Sequence, residues 1–117
     1  MRTMRVKKAN PTELVVALVK RSQCAIQVAA VLTDRHGIFS WGWNHAGFNG
    51  LGQHAEAHCL SRANKGRVRG AILYVAAVRK RNNRILNARP CSACQALIKK
   101  VGAIIYRDGN GSWRELI

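Results

Sequence analysis

Two short stretches, His54-Ala55-Glu56 and Pro90-Cys91-Ser92-Ala93-Cys94, decide how the rest of this chain is interpreted. One histidine and two cysteines are three ligands of the kind that a catalytic zinc takes from a protein, and the fourth tetrahedral position is then open for water. Glu56 is close enough to the histidine to reach that water without being a ligand. A C-x-x-C at the start of a helix places both sulfur atoms on one side of the first turn, where the helix dipole favours thiolates.

The ordered pair H-x-E and P-C-x-x-C resembles the signature of the zinc-dependent cytidine/deoxycytidylate deaminase superfamily. The resemblance implies that Zn²⁺ is held by His54, Cys91 and Cys94. It further implies that Glu56 is the catalytic residue, taking a proton from water and delivering protons to the ring nitrogen and the leaving ammonia.

Composition predicts one globular domain. The chain has 117 residues, 48% of them hydrophobic, with no apolar run of membrane-spanning length and no signal-peptide pattern. Four cysteines are too few for a disulfide scaffold, and two of them belong to the metal motif. We therefore expect a cytoplasmic protein in a reducing compartment, with no membrane partner.

The charge is strongly positive: twenty Lys and Arg against five Asp and Glu, a net +15. A domain this basic usually meets polyanions, although a solubility surface is the alternative. Between Asp34 and Asp108 the one carboxylate is Glu56. Acidic residues are otherwise absent from this part of the sequence, and the one present lies next to the predicted metal ligand His54. This position indicates a chemical role for Glu56.

The pattern of apolar runs and turn signals predicts the order helix, strand, strand, helix, strand, helix, strand, strand. Residues 1–9 are expected to form a basic N-terminal arm, and residues 10–117 a single zinc deaminase domain. Asp108-Gly109-Asn110-Gly111 is a tight-turn sequence that makes the last two strands antiparallel. The fold class is therefore α/β: a three-layer α-β-α cytidine-deaminase-like fold, whose mixed five-stranded sheet has antiparallel last strands, as in the cytidine-deaminase branch.

Several residues are candidates for substrate contacts. By the resemblance, the Asn44 side chain bonds the substrate sugar, and the Ala55 backbone amide contacts the base carbonyl. Phe48 lies in a glycine-rich loop before the motif helix and is a candidate stacking lid. Pro90 precedes the first cysteine and completes the candidate substrate-binding set.

An insertion between the third strand and the cysteine motif carries four cations and is predicted to be a polar turn or short hairpin near the pocket mouth. A polynucleotide backbone would pass there, and a solvated loop is the equally weighted alternative. The candidate nucleic-acid contacts are Arg79, Lys80, Arg81 and Arg84.

These features predict conversion of cytosine to uracil, first in single-stranded DNA or RNA. The alternative substrate is free (deoxy)cytidine or (deoxy)cytidylate, which needs a closed pocket of the kind a homo-oligomer completes. A second alternative is a non-enzymatic, zinc-stabilised, basic nucleic-acid-binding protein. It would need a fourth protein ligand, His58 or Cys59, and would leave Glu56 without a role.

Overall fold

A six-stranded sheet forms the centre of the protein. The computed structural model describes residues 10–46 and 54–116. The strands are β1 (Ile26–Asp34), β2 (Gly37–Trp43), β3 (Ile72–Arg79), β4 (Ile85–Leu86), β5 (Ala103–Arg107) and β6 (Trp113–Glu115). The helices are α1 (Pro11–Leu18), which continues into a 3₁₀ turn (Val19–Arg21), α2 (Ala55–Arg62), α3 (Lys65–Val68) and α4 (Ser92–Ile98).

The strands are arranged in the order β2-β1-β3-β5-β6, with β4 paired to the end of β3. β3 and β5 run parallel, and the pairs β1–β2, β1–β3, β3–β4 and β5–β6 run antiparallel. The predicted mixed sheet with antiparallel last strands is confirmed. The prediction of five strands omitted β4, because two residues are too few to show a strand pattern in the sequence.

Helices cover both faces of the sheet and make three layers. Val15 and Leu18 of α1 pack on one face against Ala29 and Val31, together with Ala76 and Val78. On the other face, Cys59 of α2 and Ile98 of α4 join a cluster with Leu32, Leu73 and Val75. β1 and β3 are buried on both faces, which explains why each reads as a nearly continuous apolar run.

The cationic insertion folds as a short hairpin between β3 and β4. The Arg79 N–H donates to the Arg84 carbonyl at 2.9 Å, and Asn83 adopts the left-handed conformation at φ 57° that such a tight turn requires. The Arg84 N–H donates in turn to the Asn82 side chain at 3.1 Å. The hairpin therefore presents its basic residues at the end of β3.

The helix that starts at the H-x-E motif, α2, is followed directly by the short helix α3. The chain leaves helical geometry at Ala63, and Asn64 starts α3 by accepting a hydrogen bond from the Gly66 N–H at 3.0 Å. Arg67 of α3 then pairs with Asp34 in the β1–β2 turn at 2.7 Å. That ion pair joins α3 to the sheet.

No helix in residues 10–46 and 54–116 is long and apolar enough to cross a membrane. The predicted arm over residues 1–9 lies outside the described residues, and so does the glycine-rich stretch over residues 47–53.

Gly42 in β2 allows the close approach that places α2. A Cβ atom at this position would lie 2.5 Å from the Cys59 nitrogen and 3.0 Å from its Cα. The Ser40 hydroxyl donates to the Cys59 carbonyl at 2.7 Å beside this contact. The backbone of α2 is therefore held directly against the edge strand.

We expect Gly42→Ala to lower the free energy of unfolding by about 1–3 kcal/mol, because backbone must move to admit the methyl group. Gly109→Ala is the matched control, since a Cβ there meets nothing within 4 Å. Chemical denaturation of the two variants measures the difference. Equal stabilities would show that α2 can shift away from β2 without cost.

Candidate metal centre and active site

The two sequence motifs meet at the N-termini of α2 and α4. His54 is the residue immediately before α2, Cys91 is the residue immediately before α4, and Cys94 lies in the first turn of α4. Their ligand atoms all lie within 4.8 Å of one another, and His54 Nδ1 is 2.8 Å from Cys94 Sγ. The structure thus brings together all three predicted ligands, although His54 and Cys94 are 40 residues apart in the chain.

This donor set suits zinc. One imidazole and two thiolates are borderline-to-soft ligands, and three of them leave a tetrahedral position open. Burial, followed by the nearby Glu56 carboxylate, raises the pKa of Cys94 to about 12 in the metal-free chain. In the metal-free chain, burial thus opposes the thiolate that a helix N-terminus favours. A divalent cation would stabilise that thiolate and relieve its repulsion by the carboxylate.

Glu56 lies inside the site and not on the surface. Its side chain is 5% exposed although it occupies the first turn of α2. Both its charge and a hydrogen bond act on Cys94, so the carboxylate lies against the ligand cluster. A buried carboxylate in this position can accept and return a proton within the pocket.

His58 and Cys59, the rival fourth ligands, are engaged elsewhere. His58 Nδ1 accepts a hydrogen bond from the Trp43 N–H at 3.1 Å and lies 3.2 Å from His45 Nε2. Cys59 is fully buried in the core, and burial raises the pKa of its thiol to about 12. Within the described part of the chain, His54, Cys91 and Cys94 are the cluster that can hold a metal.

A cavity of about 300 Å³ opens beside the ligand cluster. Strands β1, β3 and β4 contribute apolar side chains to its lining: Ile26, Val28, Ala77 and Leu86. Glu56 and the ligand residues form its polar side, and Ala55 and Pro90 also line it. The volume is at the lower end of ligand pockets and suits one nucleoside unit.

Asn44 lines the same cavity, but its side chain amide is occupied by the sheet. The Val28 N–H donates to Asn44 Oδ1 at 2.9 Å, and Asn44 Nδ2 donates to the Ile26 carbonyl at 2.8 Å. Asn44 thus extends the β1–β2 ladder through its side chain. Its contact with the substrate sugar stays a prediction, and Phe48 lies outside the described residues.

Asn87 and Arg89 line the cavity and were missed by sequence reasoning. Asn87 accepts a hydrogen bond from the Arg89 N–H at 3.0 Å, and this turn leads the chain into Pro90. Their position directly before the cysteine motif was the available signal, because a residue just ahead of a helix-capping ligand lies near the metal.

The basic hairpin adjoins the metal pocket. Arg79, Lys80 and Arg81 line a second cavity of about 640 Å³ together with Ala25 and Ile26. Ile26 also lines the metal pocket, so the two cavities are neighbours with one lining residue in common. Arg84, the fourth predicted cation, is exposed on the same hairpin.

A family model described as the cytidine and deoxycytidylate deaminase zinc-binding region matches residues 6–107. No curated protein matches the chain.

Solved structures of the same fold match most of the chain. The cytidine deaminase from Burkholderia pseudomallei has a TM-score of 0.72 at 21% identity, over 91% of this chain and 88% of that one. The cytidine deaminase from Mycobacterium leprae has a TM-score of 0.59 at 22% identity, over 88% and 87% of the two chains.

We expect Cys94→Ala to lose bound zinc, because two protein ligands hold the ion far more weakly than three. Cys59→Ala is the matched control and should retain zinc, although it leaves a small cavity in the core. Metal content of the purified variants measures both. Loss of zinc from a folded Cys59 variant would mean that this thiol is a ligand.

The His58 contacts predict a pH dependence of stability. Burial, followed by the neighbouring His45 and Arg62, lowers the pKa of His58 from its usual 6.5. The unfolded chain therefore binds the proton first, so His58 contributes stability that is complete above pH 6.5 and is lost as the pH falls below it. His58→Asn keeps an acceptor for the Trp43 N–H without the titration.

Unfolding should accordingly respond less to acid in His58→Asn than in the unmodified chain. The measurement is the thermal midpoint between about pH 7.5 and about pH 5.5, where histidines titrate. Zinc content is followed in parallel, because metal release lowers the midpoint of both proteins. An identical acid-induced drop in the two would assign the dependence to other groups.

Proposed function

The chain belongs to the zinc-binding cytidine and deoxycytidylate deaminase family, and on that premise we propose that it hydrolyses the amino group of a cytosine base, giving uracil and ammonia. The observation that carries the proposal is the buried Glu56 carboxylate between the His54–Cys91–Cys94 cluster and a cavity of nucleoside size. Zinc in this cluster would supply a water molecule whose pKa is lowered toward neutrality.

Glu56 has the central role in this proposal. Its carboxylate takes one proton from the attacking water and delivers it to the ring nitrogen. As the first proton leaves, the water oxygen forms a C–O bond with the amine-bearing ring carbon. Glu56 then carries the second proton from the added hydroxyl to the amine, the C–N bond breaks and ammonia leaves. One carboxylate suffices because it faces both the ligand cluster and the cavity.

The neighbouring residues position the base. The role proposed for the N–H of Ala55, in the first turn of α2 and lining the cavity, is to donate to the base carbonyl. The apolar side chains of Val28, Ala77 and Leu86 contact the faces of the ring and exclude bulk water. Exclusion of water strengthens the electrostatic interactions of Glu56 with the reacting atoms.

We propose that the cytosine is part of a single-stranded nucleic acid. The support is the cationic cavity of the β3–β4 hairpin, which shares Ile26 with the metal pocket. A phosphate next to the bound nucleoside would lie beside Arg79, Lys80 and Arg81. Cationic grooves beside a base pocket are typical of proteins that follow a single strand.

Free cytidine or cytidylate is the second candidate substrate. Its support is that the two similar solved structures are described as cytidine deaminases. The pocket volume is also sufficient for one nucleoside without its neighbours in a strand. In this case the hairpin cations would contact the phosphate of a monophosphate or nothing at all.

We expect Glu56→Gln to retain zinc and fold but to lower turnover by roughly 10²–10⁴-fold, the usual contribution of a positioned acid-base group. Deamination is measured in parallel on single-stranded DNA, single-stranded RNA, and a mixture of cytidine, deoxycytidine and their monophosphates. Substantial activity in the zinc-loaded variant would remove Glu56 from the mechanism.

The substrate arms distinguish the two candidates. Uracil formed in a polymer, at a rate that falls steeply with added salt, supports the nucleic-acid substrate. Activity confined to the free nucleosides or nucleotides establishes the second candidate. If the folded, zinc-loaded protein deaminates none of these substrates, the proposed reaction is contradicted.

A further inference from the structure

A second basic cavity lies at the far end of the two motif helices from the metal cluster. It has a volume of about 310 Å³ and is lined by Lys65, Val68, Arg69, Lys99 and Lys100; we call it the distal basic cavity. The metal ligands lie at the N-termini of α2 and α4, whereas these cations follow the C-termini of the same helices. Eight residues of α2 span about 12 Å, so the two sites are separate.

Close contact between two glycine turns builds this cavity. Gly70 has a φ of 81°, and a Cβ added to Gly102 would lie 2.8 Å from the Gly70 carbonyl oxygen. The Gly102 N–H donates to the Ala71 carbonyl at 2.8 Å. The turn after α3 is therefore locked against the turn after α4, which brings the cations of the two turns together.

The cations of this cavity have little local compensation. Lys65 Nζ donates to the Leu60 carbonyl at 3.1 Å, and Lys99 and Lys100 are favourably placed at the negative end of α4. The lining contains no carboxylate. Asp34 and Asp108 form ion pairs elsewhere, Glu56 lies in the metal pocket, and Glu13 of α1 and Glu115 of β6 are not among the residues that line the cavity.

Four cations around one cavity produce a positive potential that a bound anion would neutralise. Helix C-termini account for the two lysines after α4 and for Lys65 at the end of α2, but not for four cations from two separate turns meeting at one cavity. The excess of cations over the whole chain, a net +15, favours a polymer of phosphates over a single small anion.

We propose that the distal basic cavity binds the phosphodiester backbone of a nucleic acid. This contact goes beyond the proposed deaminase activity and does not require it. It would hold a nucleic acid at the opposite end of α2 and α4 from the reacting base, through charge and without reading sequence.

The test uses the full-length, zinc-loaded chain and a labelled oligothymidylate, which carries no cytosine and cannot be deaminated. Lys100→Gln is compared with Lys100→Arg, which keeps the positive charge at the same position of the distal basic cavity. Fluorescence anisotropy at several salt concentrations should show that Lys100→Gln raises Kd several-fold. Its slope of log affinity against log salt should fall by about 0.7, the value for one lost single-strand phosphate contact.

Lysine acetylation read by mass spectrometry provides the second measurement. Bound oligothymidylate should protect Lys65, Lys99 and Lys100 from acetylation. Unchanged modification of these three lysines overturns the proposal, as does an equal loss of affinity in the two variants. Equal protection by inorganic phosphate at the same phosphate concentration would make this a small-anion site and overturn the assignment to a nucleic acid.

Deamination assays separate this inference from the proposed function. Oligothymidylate binding at the distal basic cavity without turnover of any cytosine substrate would support the inference and contradict the proposed reaction. Turnover of a cytosine substrate with no protection of the cavity lysines would support the proposed reaction and contradict the inference.

Discussion

The site depends on two helix N-termini that meet at one end of the sheet. His54 and Cys91 each precede a helix, so the ligand positions follow directly from where α2 and α4 begin. α2 is held by its backbone contact with Gly42, and α4 by the burial of Ile98 in the core. A change of one residue in either helix start would rotate its side chains by about 100° and separate the ligands. The core packing of these helices is therefore a condition for metal binding.

The distribution of the few carboxylates shapes the rest of the molecule. Asp34 pairs with Arg67 and Asp108 with Arg114, and each arginine holds the pKa of its aspartate below the usual range. Asp34 ties the β1–β2 turn to α3, while Asp108 also accepts hydrogen bonds from backbone N–H groups in the β5–β6 turn. Glu56 is the buried carboxylate that no arginine neutralises among the described ion pairs. Its carboxylate is therefore available for the proton transfer proposed above, and most of the cations are left for the surface.

Two cationic cavities accompany the metal pocket, and they differ in how they arise. The hairpin cavity and the metal pocket have one lining residue in common, Ile26, which is apolar and 54% exposed. The distal basic cavity is created by the contact of Gly70 with Gly102 and has no residue in common with the pocket. A nucleic acid that contacted both would have its reacting base between two electrostatic anchors. Charge alone gives such anchors no preference for sequence, so selection of the base would belong to the pocket.

The zinc-site motif and the fold class could be predicted from the amino-acid sequence alone. The spacing of His54, Glu56, Cys91 and Cys94, the apolar runs of β1 and β3, and the turn at Asp108 are local patterns, because helix starts, strand periods and tight turns are encoded within a few residues. Contacts between segments that are distant in the chain became visible only in the folded protein. The tertiary structure placed Asn87 and Arg89 in the pocket, bonded the Asn44 amide to the β1 backbone, added α3 and β4, and gathered Lys65, Arg69, Lys99 and Lys100 at one cavity. Such arrangements depend on how closely helices and turns approach one another. That distance is set by packing against the core, and no periodic pattern in the chain records it.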